Sequence, residues 1–371
     1  MLVGVPKEIK NNEYRVGLTP AGVRELTRRG HSVIIEHNAG RSIALDNETY
    51  VAAGASIVET AEEVFARAEM VVKVKEPQPV ECRMLKEGQI LFTYLHLAPD
   101  PEQTRLLVES GTTAVAYETV TDRSGGLPLL APMSEVAGRM SIQAGAYCLE
   151  KTHGGNGTLL GGVPGVSPGN VLVIGGGVVG VNAARIALGM GADVVVLDNS
   201  PRKLVELDAL YGPRLKTIFS TEDSISEYVE RADLVVGAVL IPGAAAPKLV
   251  RREQLARMKR GAVVVDVAID QGGCFHTSKA TTHQEPTYVV DEVVHYCVAN
   301  MPGAVARTST FALTNATMPY VIRLANDGLD ALRDDPHLRD GLNVHRGQVT
   351  YEAVALDLGY DFVDAGEAIR V

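Results

Sequence analysis

The chain has 371 residues, more than one hydrophobic core usually organises, so two domains are expected. Hydrophobic residues make up 46% and charged residues 22%, the balance of a soluble globular protein rather than a disordered one. Asp and Glu number 45 against 35 Lys and Arg, and the net charge of −10 argues against nucleic acid or an anionic membrane as the main partner.

The first residues, MLVGVPKEIK, lack the basic flank and apolar run of a secretory signal, and no uncharged apolar run reaches the ~20 residues that span a bilayer. Cys82, Cys148, Cys274 and Cys297 form neither a CxxC pair nor a metal-ligand spacing, which points to reduced thiols in a cytoplasmic protein. From the N-terminus onward, strand and helix patterns alternate, the signature of parallel sheets with helices on both faces, an α/β fold. LVGVP opens as a strand. LTPAGVRELTRRG follows as a helix, with Thr19 as N-cap, Pro20 in its first turn and Gly30 beyond its end. SVIIE, MVVKVK, QILFTYL and TAVAYE read as further strands, with TAEEVFARA and PEQTRLLVESG as helices. A helix near MSEVAGRMSIQAGAYCLEK and the glycine-rich HGGNGTLLGGVPGVSPGN separate these from a second strand set, NVLVIGGG, DVVVLD, LVVGAV and AVVVDVA. After Arg307 the chain turns helical with too few strands for a domain of its own, so it is expected to return to the first domain. The expected division is 1–129 with 308–371 as a discontinuous substrate domain, and 130–307 as a Rossmann domain. No solenoid repeat is visible.

The strongest local motif is NVLVIGGGVVGVNAARIALGMGADVVVLD. Gly175, Gly177 and Gly180 follow a strand and open a helix; they suit a tight turn, backbone approach to a pyrophosphate and close helix–sheet contact. The helix N-terminus offers unpaired N–H groups to the phosphates. Asp198, 23 positions after Gly175, ends the next strand where a carboxylate accepts from ribose hydroxyls and repels a 2′-phosphate, so NAD is expected over NADP. Arg202 and Lys203 leave that preference open; their alternative is a solvated first helical turn.

Four ionisable residues sit at ends of apparent strands or in a long connection. Lys73 and Lys75 in VVKVKEP share a face by alternation: either the wet side of an edge strand or, for Lys75, a cation at the ligand-facing carboxyl end. Arg15 lies in KEIKNNEYRVGL, a connection long enough to suggest function; it reads either as a solvated loop residue or as a carboxylate receptor. His96 closes LFTYLH, either packed or titrating. Asp270 follows AVVVDVAI, either as a turn cap or as a site acid, whereas Asp266 inside that strand reads as structural.

Taken together, GVPKEIKNNEYRVGLTP, VKVKEP, TYLHLAPD, APMSEVAGRM, GGVPGVSPGNVLVIGGGVVG, VDVAIDQGG, VANMPGAVARTST and GLNVHRGQVTYEAVA resemble bacterial alanine dehydrogenases over nearly the whole chain. The resemblance implies two Rossmann-like domains, a homo-hexamer, and NAD-linked conversion of L-alanine to pyruvate and ammonium. It implies that Arg15 and Lys75 hold the substrate, that His96 is the proton donor and acceptor, and that Asp270 assists. On the cofactor side it implies contacts from Ser134, Val178, Val179, Asp198, Lys203, Ser220, Val239 and Leu240. Val267, Ala268, Ile269 and Asp270 join them, as do Val298, Ala299, Asn300, Met301 and, as a weaker match, Lys279. No metal is expected: His31, His37, His153, His276, His283, His295, His337 and His345 show no ligand pairing. The rival readings are the NAD-binding part of a proton-translocating transhydrogenase, which needs a membrane portion, and a non-catalytic NAD-sensing module, which needs none of the four reaction residues.

Overall fold

A computed structural model describes residues 1–239 and 246–370. The chain forms two compact units, Met1–Pro132 with Val305–Val371, and Met133–Ala304.

The strands of the first unit are β1 (Leu2–Val5), β2 (Ser32–Glu36), β3 (Ser56–Val58), β4 (Met70–Val72), β5 (Ile90–Thr93) and β6 (Thr113–Ala116). The second unit carries β7 (Asn170–Ile174), β8 (Asp193–Asp198), β9 (Lys216–Phe219), β10 (Leu234–Gly237), β11 (Val263–Asp266), β12 (Thr287–Val290) and β13 (Val293–Tyr296). The returning tail adds β14 (Leu342–His345) and β15 (Gln348–Val349) to the first unit. The first sheet runs β15-β14-β6-β5-β4-β1-β2-β3, and the second β12-β13-β11-β10-β7-β8-β9. Each sheet is parallel through its middle. The expected parallel sheets are present, and three strands at their edges add antiparallel pairs: β14, β15 and β12 run antiparallel to their neighbours. Antiparallel strands joined by short turns finish a sheet edge without the long crossover that a parallel strand demands.

The central strands are buried on both faces, as crossover helices require. In the second unit Val171 and Val173 pack into one core while Leu172 and Ile174 pack into another, and Val263 and Val265 alternate with Val264 in the same way. The helix Val178–Gly189 sends Ala183, Ala184 and Ala187 into the first of these cores; small side chains let its backbone lie close to the sheet. In the first unit Val71 and Leu91 pack with Phe65, Leu95 and Leu107, with Val72 and Phe92 buried opposite.

Local signals explain several boundaries. The Thr19 hydroxyl accepts from the Gly22 N–H, and Pro20 opens the helix Pro20–Thr27. MVVKVK departs from expectation. β4 stops at Val72 and lies between β1 and β5, so it is no wet edge; Lys73 is fully buried, and Val74 is buried beside it.

Candidate active site

In each sheet one strand lies between neighbours that wind away in opposite directions. At such a switch point the connecting loops diverge and leave room for a ligand at the carboxyl ends. In the first unit this point is β1 against β4, and in the second it is β7 against β10.

Loop 6–19 leaves β1 in the first unit and passes over the end of β4. A Cβ on Gly17 would stand 2.5 Å from the Val72 carbonyl oxygen, so only glycine allows this approach. Arg15, 2% exposed, donates from Nε and Nη2 to the two carboxylate oxygens of Glu13 at 2.7 and 2.6 Å. Burial weakens a guanidinium's hold on its proton, but Glu13, with Tyr94 and Glu8 behind it, outweighs burial and raises the pKa further. The bidentate pair fixes the plane of the fork.

Behind it lies a buried triad. Lys73 Nζ donates to Glu8 Oε2 at 3.0 Å and to Glu81 Oε1 at 2.8 Å. Burial pulls the Lys73 pKa down, but the two carboxylates overcome it and hold the ammonium charged; burial raises the pKa of Glu8 despite Lys73. Glu8 Oε1 accepts the backbone N–H groups of Val74 (2.7 Å) and Lys75 (3.3 Å), which fastens the segment that carries Lys75. The Lys75 ammonium lies 3.6 Å from Glu76 Oε2, within ion-pair range but beyond a hydrogen bond. Lys10 pairs with the other oxygen of Glu76. Burial opposes the Glu76 carboxylate, yet Lys75, Lys10 and His96 outweigh it and hold its pKa at about 2.

His96 stands three residues past β5, with φ at 49°, a left-handed conformation that side chains other than Gly, Asn and Asp rarely adopt. Its cause is Glu118, just beyond β6. One carboxylate oxygen accepts the N–H groups of Leu95 at 3.1 Å and His96 at 2.6 Å, turning the chain out of the ladder. The same oxygen lies 3.7 Å from His96 Nδ1. The imidazole lies parallel to the Tyr94 ring, at 4° with centroids 5.8 Å apart, and Tyr94 OH donates to the Leu129 carbonyl at 2.5 Å. The ring is thus oriented from one side and half-exposed on the other. Arg15, Lys75 and His96 all emerge at the carboxyl end of one sheet.

The second unit offers a dinucleotide cradle. Gly175 has φ at 103°, open only to glycine, and a Cβ there would meet the Ala238 carbonyl oxygen and Val239 at 2.9 Å. A Cβ on Gly180 would stand 1.7 Å from the Gly175 carbonyl oxygen, so the helix Val178–Gly189 seats directly on the turn. Among the described residues, nothing lies within 4 Å of a Cβ on Gly177, the N-cap, so they leave that side of the cradle open. Asp198 ends β8; its carboxylate accepts from Gly176 N at 2.7 Å and Ser200 N at 2.8 Å, so the acid also braces the glycine turn. These features fit a pyrophosphate at the helix N-terminus and a ribose at Asp198.

The remaining expected cofactor residues fall around this end of the sheet. Ser220 follows β9 and donates its N–H to the Asp198 carbonyl at 2.9 Å; Val239 follows β10. Val267, Ala268 and Ile269 form the 3-10 turn Val267–Gln271 after β11. Val298, Ala299, Asn300 and Met301 follow β13, with Asn300 at φ 59°. Ser134 and Val178 lie on helices in mutual contact, since a Cβ on Gly138 would meet the Val179 carbonyl at 2.2 Å. Leu240 lies outside the described residues. Lys279 is exposed in the excursion after Ser278, its N–H donated to Tyr288 OH. Lys203 pairs with Glu206 at 2.6 Å, and Arg202 with the same residue at 3.1 Å, in a solvated first turn. Asp270 is exposed in the Val267–Gln271 turn, whereas Asp266 is buried and caps that turn through Ala268 N. Among the described residues no group of three or more His, Cys, Asp or Glu could hold a metal ion.

Glu8, Glu13, Glu81 and Glu118 escaped the sequence reading. Glu118 obeys the rule that picked out Lys75 and Asp270, an ionisable residue just past an apolar strand. Glu8 and Glu13 share the long connection with Arg15.

These features define an α/β protein with a dinucleotide cradle on one unit and a charged, titratable cluster on the other. Comparison with known proteins narrows that class. Residues 4–137 match the N-terminal and 141–352 the C-terminal domain model of alanine dehydrogenase/PNT. An alanine dehydrogenase of Halomonas elongata is 60% identical over 370 residues, and one of Mycobacterium tuberculosis 55% over 370, each over 100% of both chains. A solved L-alanine dehydrogenase superposes with a TM-score of 0.95 at 51% identity, covering 97% of this chain and 99% of that one. A transhydrogenase from Sinorhizobium meliloti, at 24% identity, a TM-score of 0.81 and coverage of 95% and 100%, shares the fold. The chain belongs to the alanine dehydrogenase/PNT family.

Proposed function

We propose that this chain is an NAD-dependent oxidoreductase that converts L-alanine, water and NAD to pyruvate, ammonium and NADH, and runs the reverse reductive amination. The observation that carries the reading is His96, held in a left-handed conformation by Glu118 beside Arg15 and Lys75 at one sheet end. A transhydrogenase component or an NAD sensor has no need of that cluster. No described helix is long and apolar enough to cross a membrane.

The roles follow from the chemistry. Arg15 and Lys75 oppose the substrate carboxylate and carbonyl and fix the orientation of Cα. Lys75 makes no hydrogen bond through its ammonium among the described residues, which leaves that donor for a substrate oxygen. His96 takes the amine proton, so that the nitrogen lone pair can assist departure of hydride from Cα, and passes it to solvent. It then takes a proton from the water that adds to the iminium carbon and returns that proton to the nitrogen, which leaves as ammonia when the carbinolamine collapses to pyruvate. Glu118 faces the Nδ1 side of the ring at 3.7 Å, which leaves Nε2 as the nitrogen turned to substrate in this reading. Asp270 orients the amine and balances the iminium charge. Gly175, Gly177, Gly180 and Asp198 hold the dinucleotide, which supplies the hydride acceptor when bound. The reading includes hexameric assembly in the cytoplasm, on the strength of the resemblance.

Growth of absorbance at 340 nm on mixing protein, NAD and L-alanine is the expected result, and its absence overturns the proposal. Substituting Asp198→Ser should raise the KM for NAD by about tenfold or more, since a charge-assisted hydrogen bond is worth roughly 1.5–3 kcal/mol. The same change should narrow the preference over NADP, read from steady-state rates with both dinucleotides.

A further inference from the structure

Glu76 is a carboxylate beside two ammonium groups at the substrate end of the first unit, Lys10 and Lys75. Its side chain is 11% exposed. Oε1 pairs with Lys10, and Oε2 is buried with no hydrogen-bond donor among the described residues in reach. Lys75 Nζ lies 3.6 Å from Oε2, beyond a hydrogen bond. A buried carboxylate oxygen beside an ammonium would ordinarily close to a hydrogen bond. Here the pair stays at 3.6 Å, while Lys10 engages the carboxylate through its other oxygen.

We propose that Glu76 is a positioning residue, which acts through Lys75 by holding that ammonium aimed at the substrate's carbonyl oxygen, with Lys10 securing Glu76 in turn. The inference rests on the proposed alanine–pyruvate chemistry and deepens it. Closure to a short Lys75–Glu76 hydrogen bond would turn the donor away from substrate; loss of the carboxylate would leave Lys75 without the charge that orients it. Lys10 belongs to the same loop as Arg15, so one segment carries the group facing the carboxylate and the group that secures the aim at the carbonyl. Glu8 holds the backbone of Lys75 through its N–H, and Glu76 holds the tip. Backbone and ammonium are thus fixed by two different acids.

The test separates a positioning role from a merely structural one by choice of ligand. Pyruvate and oxamate present a carboxylate and a carbonyl; propionate presents the carboxylate alone. With full-length protein at saturating NADH and ammonium, Glu76→Gln should raise the pyruvate KM and the oxamate inhibition constant by about tenfold or more. The propionate constant, and the NADH KM measured at saturating pyruvate and ammonium, should stay within about twofold. Lys10→Gln should move the same two constants in the same direction by a smaller factor. If Glu76→Gln does not fold, Glu76→Asp and Lys10→Gln carry the test with the same readout. Pyruvate and oxamate constants within twofold of the parent overturn the inference, as does an equal loss of oxamate and propionate. A parent chain that fails to turn over pyruvate removes the functional reading and this inference with it; an active parent with an unaffected variant removes this inference alone.

Discussion

His96→Ala is expected to leave NADH affinity within about twofold of the parent while turnover of alanine falls by at least about tenfold to a hundredfold. Proton transfer by a placed side chain is worth about 10²–10⁴ in rate, and His96 is the proposed proton donor and acceptor at the sheet end that carries Arg15 and Lys75. Its conformation complicates the reading of an alanine variant, because φ at 49° costs any residue with a Cβ roughly 1–2 kcal/mol. Glu118 holds that conformation through backbone N–H groups, which survive the substitution. His96→Asn is the control: asparagine tolerates the left-handed region and cannot shuttle a proton at neutral pH. Both variants should lose turnover to a similar extent. An asparagine variant with normal turnover would show that the backbone turn, and not the imidazole, matters. Stopped-flow rates with fluorescence titration of NADH make the distinction.

Gly180→Ala is expected to weaken NADH binding by at least tenfold and to destabilise the protein by about 1–3 kcal/mol, the usual cost of overpacking. The new methyl would stand 1.7 Å from the Gly175 carbonyl oxygen, a backbone atom that cannot rotate away. The helix Val178–Gly189 would therefore have to lift off the turn, moving the N–H groups offered to the pyrophosphate. Gly177→Ala provides the contrast. Among the described residues its Cβ meets nothing within 4 Å, so the fold should keep its melting temperature. The same methyl would point into the open side of the cradle, so NADH affinity alone should fall. Thermal melts and NADH titrations on the two variants should separate a turn that is packed shut from a turn that must stay open. Equal melting temperatures for both would contradict this account.

The fold class was legible because strands buried on both faces leave continuous apolar runs such as NVLVI and AVVVD, and because the glycine turn has a steric signature. The shorter strands were not: β3, β9, β12 and β15 are two to four residues long and half-polar, with no period to detect. Lys73 was misread because alternation reports which side a residue faces, not what waits there. Two carboxylates from elsewhere in the chain, Glu8 and Glu81, make its burial tolerable. QILFTYL promised a longer strand than β5 provides, since Glu118, more than twenty residues on, takes the N–H groups that the ladder would have used. The proposed reacting residues are nominated by their positions after strands or in a long connection. Glu118 obeys the same rule, but its hold on the N–H groups of Leu95 and His96 is formed only in three dimensions.

The antiparallel pair β14–β15 has a consequence for synthesis on the ribosome. Residues 133–304 are one uninterrupted stretch, so that unit has all its strands once its own last residues emerge. The other unit has six strands early, but the flank of β6 that β14 will cover stays bare while more than two hundred further residues are made. During that interval a strand next to the one leading to His96 presents unpaired N–H and C=O groups to any passing chain. Nascent protein interrupted before Leu342 is therefore the form most in need of a chaperone, and the final thirty residues end that exposure.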